Sequence, residues 1–130
     1  MDIKENLWGP AMKTPELYEL EYLFECEAKL SDDGIPWQYT SVSFQIVRNN
    51  IKAVFEFEEA SRGGQLRLYF ENEEITNYCL ENISIIHIKR DDNYECLILE
   101  FDEENFVLPL ALQTKPSIKT SWGTSLDLKR

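Results

Sequence analysis

Few residue types in this chain could do chemistry, and they lie far apart: one histidine, His87, three cysteines at Cys26, Cys79 and Cys96, and a surplus of carboxylates. Nucleophilic catalysis needs a base within reach of the attacking group and a further group that orients the base. No nucleophile motif or orienting carboxylate is spaced around His87, so it reads as a satisfied or half-exposed histidine on a strand. The cysteines show neither a CxxC pair nor any zinc-type spacing. Two of them occupy apolar alternating positions, and reduced, buried thiols are expected. Arg62-Gly63-Gly64 is a turn signal without the lysine and helix that a phosphate-binding loop needs. Asp32-Asp33-Gly34 is too short for a calcium loop, and Asp102-Glu103-Glu104-Asn105 reads as a tight polar turn. Among 24 acidic residues a pair suited to glycoside hydrolysis arises by chance, so it carries no signal. The expectation is a protein with no catalytic residue, no metal and no cofactor.

Charge is the remaining chemical feature. Thirteen basic against 24 acidic residues give a net charge of −11, which repels nucleic acid and anionic membranes and attracts a basic protein. Glu21, Glu25, Glu27, Glu56 and Glu58 are expected to share the solvent side of an N-terminal sheet, diluted by Lys52 and Arg67. Such a face serves either solubility or docking of a cationic partner. Interfaces also need an apolar or aromatic centre. Tyr69 and Tyr39 could supply it, or a second apolar face made by Ile86, Ile88 and Ile98.

Hydrophobic alternation indicates the elements that must carry these residues. From Tyr18 to Leu30 every even position is apolar, while Glu19, Glu21, Glu25, Glu27 and Lys29 fill odd ones. Period two is a strand signature. Leu17 to Glu71 therefore reads as a four-stranded antiparallel meander whose first strand runs from Leu17 to Leu30. That strand far exceeds the roughly 5–6 residues typical of strands, so a bulge or bend is expected near Leu23, the residue that breaks the charge pattern. Asp32-Asp33-Gly34 and Ile35-Pro36 then turn the chain toward Trp37. A type I′ turn at Asn49-Asn50 pairs Ile46 with Ala53, Phe44 with Phe55 and Val42 with Phe57. A connection from Glu59 to Gly64 pairs Phe57 with Leu66, Phe55 with Leu68 and Ala53 with Phe70, placing Glu56 opposite Arg67 and Lys52 opposite Glu71.

Three more strands complete the pattern, Ile83 to Ile88, Cys96 to Phe101 and Phe106 to Leu112. A loop at Asp91 to Asn93 pairs Ile83 with Phe101 and Ile85 with Leu99, and puts His87 on the face of Ile85 and Leu97. A turn at Glu103-Glu104 pairs Phe101 with Phe106, Leu99 with Leu108 and Leu97 with Leu110. Pro109 lacks an amide donor, which makes this last strand an edge or a bulged one. The expected architecture is all-β, about seven to eight strands in two consecutive antiparallel meanders, forming a β-sandwich or curved open barrel. Residues 1–130 read as one domain, with an N-terminal arm over 1–14 and a C-terminal tail over 113–130. MDIKENLWGP has no apolar leader segment and no stretch approaches a membrane span, so cytoplasmic residence is expected.

The stretch LRLYFENEEITNYCLENISIIHIKRDDNYECLILEFDEENFVLPL, Leu66 to Leu110, resembles the β-rich immunity proteins of bacterial polymorphic toxin systems. In them a strand ending in a Phe-acidic-Asn step, here Phe70-Glu71-Asn72, leads through a short connection into alternating strands. An upstream tryptophan, here Trp8, precedes the first long strand. The resemblance implies a non-enzymatic cytoplasmic protein that binds a cognate toxin tightly; toxins that are nucleases are commonly basic. Two other functions stay open. A carbohydrate-binding sandwich would use Trp8, Trp37 and Trp122 as stacking surfaces, and an assembly component would use the Phe106 to Leu112 edge.

Overall fold

The alternation from Tyr18 to Leu30 also satisfies a helical spacing, and in the computed structural model, which describes residues 12–102 and 107–123, the helix prevails. Helix α1, Leu17–Phe24, buries Leu20, Leu23 and Phe24, positions three and four apart that share one helical face. The Glu19 carboxylate accepts the Glu16 backbone N–H at 2.9 Å, one half of a capping box. Glu25 ends the helix in the left-handed region at φ 57°. The expected first strand thus shrinks to β1, Lys29–Leu30, and no bulge lies at Leu23. Leu23 breaks the alternation because it obeys the helical period instead and is fully buried. After the Asp33-Gly34 turn, a short 3₁₀ helix, Trp37–Tyr39, leads into the next strand.

Strands β2 (Val42–Arg48), β3 (Ile51–Glu58), β4 (Gly63–Phe70) and β5 (Glu73–Leu80) complete a five-stranded antiparallel sheet in the order β1-β2-β3-β4-β5. Asn49 and Asn50 have φ 52° and 69°, as a type I′ turn requires, and Phe44 opposes Phe55 as expected. Between β3 and β4 the register is two residues away from the expected one. Phe55 faces Leu66 and Ala53 faces Leu68, because the turn comprises only Glu59 to Arg62 and both glycines belong to the strand. A two-residue slip preserves the buried face but changes every partner. Glu56 now lies opposite Gln65 and Lys52 opposite Tyr69, so the expected cross-strand ion pairs are not formed. At Gly64 a Cβ would sit 2.6 Å from the Glu56 carbonyl oxygen, so only glycine fits there. The sequence pattern does not reveal strand β5: Glu73, Glu74, Ile75, Asn77 and Cys79 are exposed, leaving little alternation to detect.

The second sheet contains β6 (Ile83–Asp91), β7 (Tyr94–Phe101), β8 (Leu110–Lys115) and β9 (Lys119–Ser121), in that order. Ile83 pairs with Phe101 as expected, but an irregularity between Ile83 and Ile85 shifts the rest of the ladder. Ile86 then opposes Leu99 and Ile88 opposes Leu97. Both isoleucines consequently turn toward the core and do not form a second apolar face. On the other side of β7, Leu99 pairs with Leu110 and Leu97 with Leu112, again two residues from expectation. Pro109 precedes β8, an interior strand, so its missing amide removes no ladder bond. The region expected as a tail from residue 113 holds the end of β8 and all of β9. The Glu103-Glu104 turn and Phe106 lie outside the described residues.

Both sheets contribute to one core. Phe24 stacks on Phe44 and Phe55 at 5.2 and 6.2 Å, and Phe55 on Phe57 at 5.5 Å. Ile83, Ile86, Leu97, Leu99, Leu110 and Leu112 join them from the second sheet. Each fully buried side chain of this size contributes roughly 1.5–3 kcal/mol. Polar ties cross the seam: the Arg48 side chain donates to the Thr114 carbonyl, and Arg62 grips Asp102 with two bonds of 3.0 and 2.8 Å. The architecture is an all-β pair of antiparallel sheets with no closed barrel, as the sequence implies.

Candidate functional site

The five expected docking glutamates do not all lie on one sheet face: Glu27 stays beside Ser43 and Gln45, near Glu56, whereas Glu21 and Glu25 belong to the helix and its end. Glu21 lies on α1 and Glu25 at its end, Glu27 comes just after it, and Glu56 and Glu58 project from the outer side of β3. Their common face rested on reading α1 as a strand. Glu21 is engaged internally, accepting the Ala28 N–H at 2.8 Å. Glu25 pairs with Arg48 at 3.2 Å and approaches Lys115 at 3.9 Å. Tyr69 lies on the outer face, where the Lys52 ammonium sits 4.9 Å from its ring centroid and Arg67 donates to its hydroxyl at 3.3 Å. This outer face is mixed: successive rows read Val47, Lys52 and Tyr69, then Gln45, Val54 and Arg67, then Ser43, Glu56 and Gln65.

Ile86, Ile88 and Ile98 are also dispersed. Ile86 is buried in the core, Ile88 packs against it, and Ile98 lies half-buried on the opposite face beside His87 and Ala111. His87 therefore shares its face with Ile98 rather than Leu97. Its Nε2 is 2.9 Å from a Glu100 carboxylate oxygen, a partner that becomes visible only with the correct register. Both side chains are more than 40% exposed, so the pair is solvated like an ordinary surface contact. The thiols also differ from expectation: Cys96 is buried and Cys26 half-buried, but Cys79 is exposed because it lies on the open face of β5. A hydrogen bond with Cys96 holds the Tyr94 phenol above its ordinary ionisation range.

Trp37 and Trp122 serve packing. Trp122 stacks on Phe101 at 5.5 Å, meets Tyr78 edge-on at 5.1 Å, and donates its indole N–H to the Leu108 carbonyl. Trp37 meets Phe57 edge-on at 6.3 Å, and Trp8 lies outside the described residues. No group of three or more His, Cys, Asp or Glu that could hold a metal occurs among the described residues. Within them, no helix is long and apolar enough to cross a membrane.

A cleft between α1 and the second sheet is not foreshadowed by the sequence pattern. Tyr18, Glu19 and Tyr22 from the helix, Arg90 from β6 and Glu95 from β7 line a cavity of about 470 Å³. Tyr18 and Tyr22 are 68% and 69% exposed, unusual for large aromatics. The Arg90 guanidinium carbon lies 5.3 Å from the Tyr22 ring centroid, and its Nε is 3.3 Å from a Glu95 oxygen. Exposed tyrosine and arginine side chains are among the residue types enriched at protein interfaces. The spacing of Tyr18 and Tyr22, four apart and off the Leu20-Leu23-Phe24 face, would have revealed an exposed tyrosine pair, though not the strands beside it, had the segment been read as helix.

No protein-family model matches the chain, and no curated protein does. Among solved structures, the fold is shared with a chain from the contact-dependent growth inhibition toxin–immunity protein complex of Klebsiella pneumoniae 342. The TM-score is 0.76 at 17% identity, covering 87% of this chain and 96% of that one.

Proposed function

We propose that this chain is a non-enzymatic immunity protein, which binds a cognate bacterial toxin tightly and neutralises it in the cytoplasm. The observation that carries this reading is the fold held in common, over nearly the whole of both chains, with a chain of a toxin–immunity complex. The net charge of −11 supports a basic toxin as partner, since opposite charge accelerates encounter. A carbohydrate-binding sandwich is less well supported, because Trp37 and Trp122 are occupied in packing. The assembly reading loses its edge strand, because β8 is interior.

The test is coexpression with the protein encoded immediately upstream. That protein should arrest growth alone, and this chain should restore growth and copurify with it. Arrest that persists in the presence of the folded chain would overturn the reading.

A further inference from the structure

A sheet edge presents unpaired backbone donors and acceptors, so it invites another strand unless it is short or covered. Among the described residues, three of the four edges are short or occupied. Strand β1 has two residues and β9 three, and β6 is bonded from outside its sheet by Lys13, which donates to the Ser84 carbonyl and accepts the Ile86 N–H. Strand β5 differs: it has eight residues, and no described backbone bond reaches it beyond its ladder with β4. In an antiparallel ladder alternate residues bond the neighbouring strand, and those between turn their N–H and C=O the other way. The two-residue turn at Glu71-Asn72, with φ 49° and 72°, makes Phe70 and Glu73 a bonded pair. The same parity along β4 bonds Leu68, Leu66 and Gly64 to Thr76, Tyr78 and Leu80. Asn77 and Cys79 therefore direct their backbone groups to the open side, and Ile75, the extra residue of the bulge, is 55% exposed.

This edge also has one sign of charge. From Glu71 to Asn82 the chain carries Glu71, Glu73, Glu74 and Glu81 and no lysine, arginine or histidine. All four carboxylates are exposed, and none joins an ion pair among the described residues. Arg67 and Lys52, one and two strands inward, are directed to Tyr69. A second copy is a poor occupant, because antiparallel self-pairing about Asn77 sets Glu73 against Glu81 and parallel self-pairing in register sets each glutamate against its twin. The charge that repels an acidic copy attracts a cationic strand.

We propose that the open edge of β5 is the toxin-docking element, and that it takes up an extended, lysine- or arginine-bearing segment of the toxin as an added strand. The inference rests on the immunity reading for its partner, while the edge's preference for a basic strand is testable without the toxin. Backbone bonds at Asn77 and Cys79 fix the register of the added strand, Ile75 gives it apolar contact, and the glutamates select its charge.

Two measurements on the full chain test this, both reading the exchange of individual backbone amides by NMR. In the first, the upstream-encoded toxin is added. The Asn77 and Cys79 amides, rapidly exchanging in the free chain, should slow at least tenfold, and Glu73→Lys/Glu74→Lys should weaken toxin affinity tenfold or more, against less than threefold for Glu56→Lys/Glu58→Lys. Toxin bound with both amides unchanged overturns the edge and leaves the immunity reading intact. In the second, an acetylated and amidated hexapeptide alternating lysine and valine is titrated, with the glutamate–valine hexapeptide as control. Saturable protection of Asn77 and Cys79 is expected from the lysine peptide alone, at least tenfold weaker in Glu73→Lys/Glu74→Lys. Equal responses to both peptides, or none, overturn the edge as a site for a basic strand, as does protection in the free chain that grows with its concentration, which would make a second copy the occupant. If no toxin binds yet the lysine peptide protects both amides, the immunity reading falls and the basic-strand site stands.

Discussion

The β2–β3 hairpin and the segment from Leu17 to Leu30 show the same period-two pattern, yet one is a hairpin and the other mostly helix. In the hairpin two independent signals agree: the Asn49-Asn50 turn and the partner strand's own alternation specify the same pairing. The Leu17 to Leu30 segment has no such second strand to confirm it. Leu20, Leu23 and Phe24 also fall three and four apart, and the Glu16–Glu19 bond starts a helix. Alternation thus becomes diagnostic when a turn and a cross-strand partner confirm it, and a single disobedient residue such as Leu23 can outweigh several obedient ones.

The largest effect that would sharpen this contrast is on the hairpin side. Phe55→Ala removes a fully buried ring stacked between Phe24 and Phe57, and should cost about 3–5 kcal/mol. A denaturant titration showing less than about 1 kcal/mol would mean that the aromatic row is not the centre of the core. On the helix side, Leu23→Ala should cost about 2–5 kcal/mol by the same mechanism. A near-neutral result would restore the strand reading, in which Leu23 points to solvent among the glutamates.

A smaller effect lies at the seam between the sheets. The Arg62 guanidinium, hydrogen-bonded to Asp102, holds its carboxyl below the ordinary value of 3.8. A depressed carboxylate stabilises the fold above its unfolded value, and that contribution is lost as pH falls through the folded one. For a partly exposed pair the amount is about 0.2–1 kcal/mol. The stability difference between the parent and Asp102→Asn should therefore be full near neutral pH and vanish in strong acid. A pH-independent difference would assign the cost to packing instead. The smallest effect is expected for Tyr18→Ala, which should change stability by no more than about 0.5 kcal/mol. A larger loss in thermal or chemical unfolding would show that this side of α1 is structural.

The all-β class, the β2–β3 register and the positions of the β4, β6 and β7 cores were legible because each rests on buried alternation. The registers of β4 and β8 were each two residues off, since a slip of two keeps every apolar residue inside and sequence pattern cannot detect it. Strand β5 escaped because, as an edge with exposed polar positions, it owes its existence to the ladder with β4. The irregularity between Ile83 and Ile85 leaves no compositional trace, and it moved Ile86 and Ile88 from one face to the other. The candidate site was less legible than the fold. The acidic residues were evident by type, but their grouping depended on a strand that is a helix, and the tyrosine cleft needs three elements distant in sequence.

The order of the strands along the chain has a consequence for biosynthesis. The five-stranded sheet is built from neighbouring hairpins, and α1, which supplies Phe24 to its apolar face, precedes them. Domains emerge N-terminus first but fold as units, and because both sheets bury their apolar faces in one core, the first sheet and its helical lid complete their packing only when the later strands arrive. Trp122, which bridges Phe101 of one sheet and Tyr78 of the other, is translated after every strand in both. The aromatic latch across the two layers is therefore the last part of the shared core to be made, and a ribosome stalled before it would hold a chain whose two layers are unfastened.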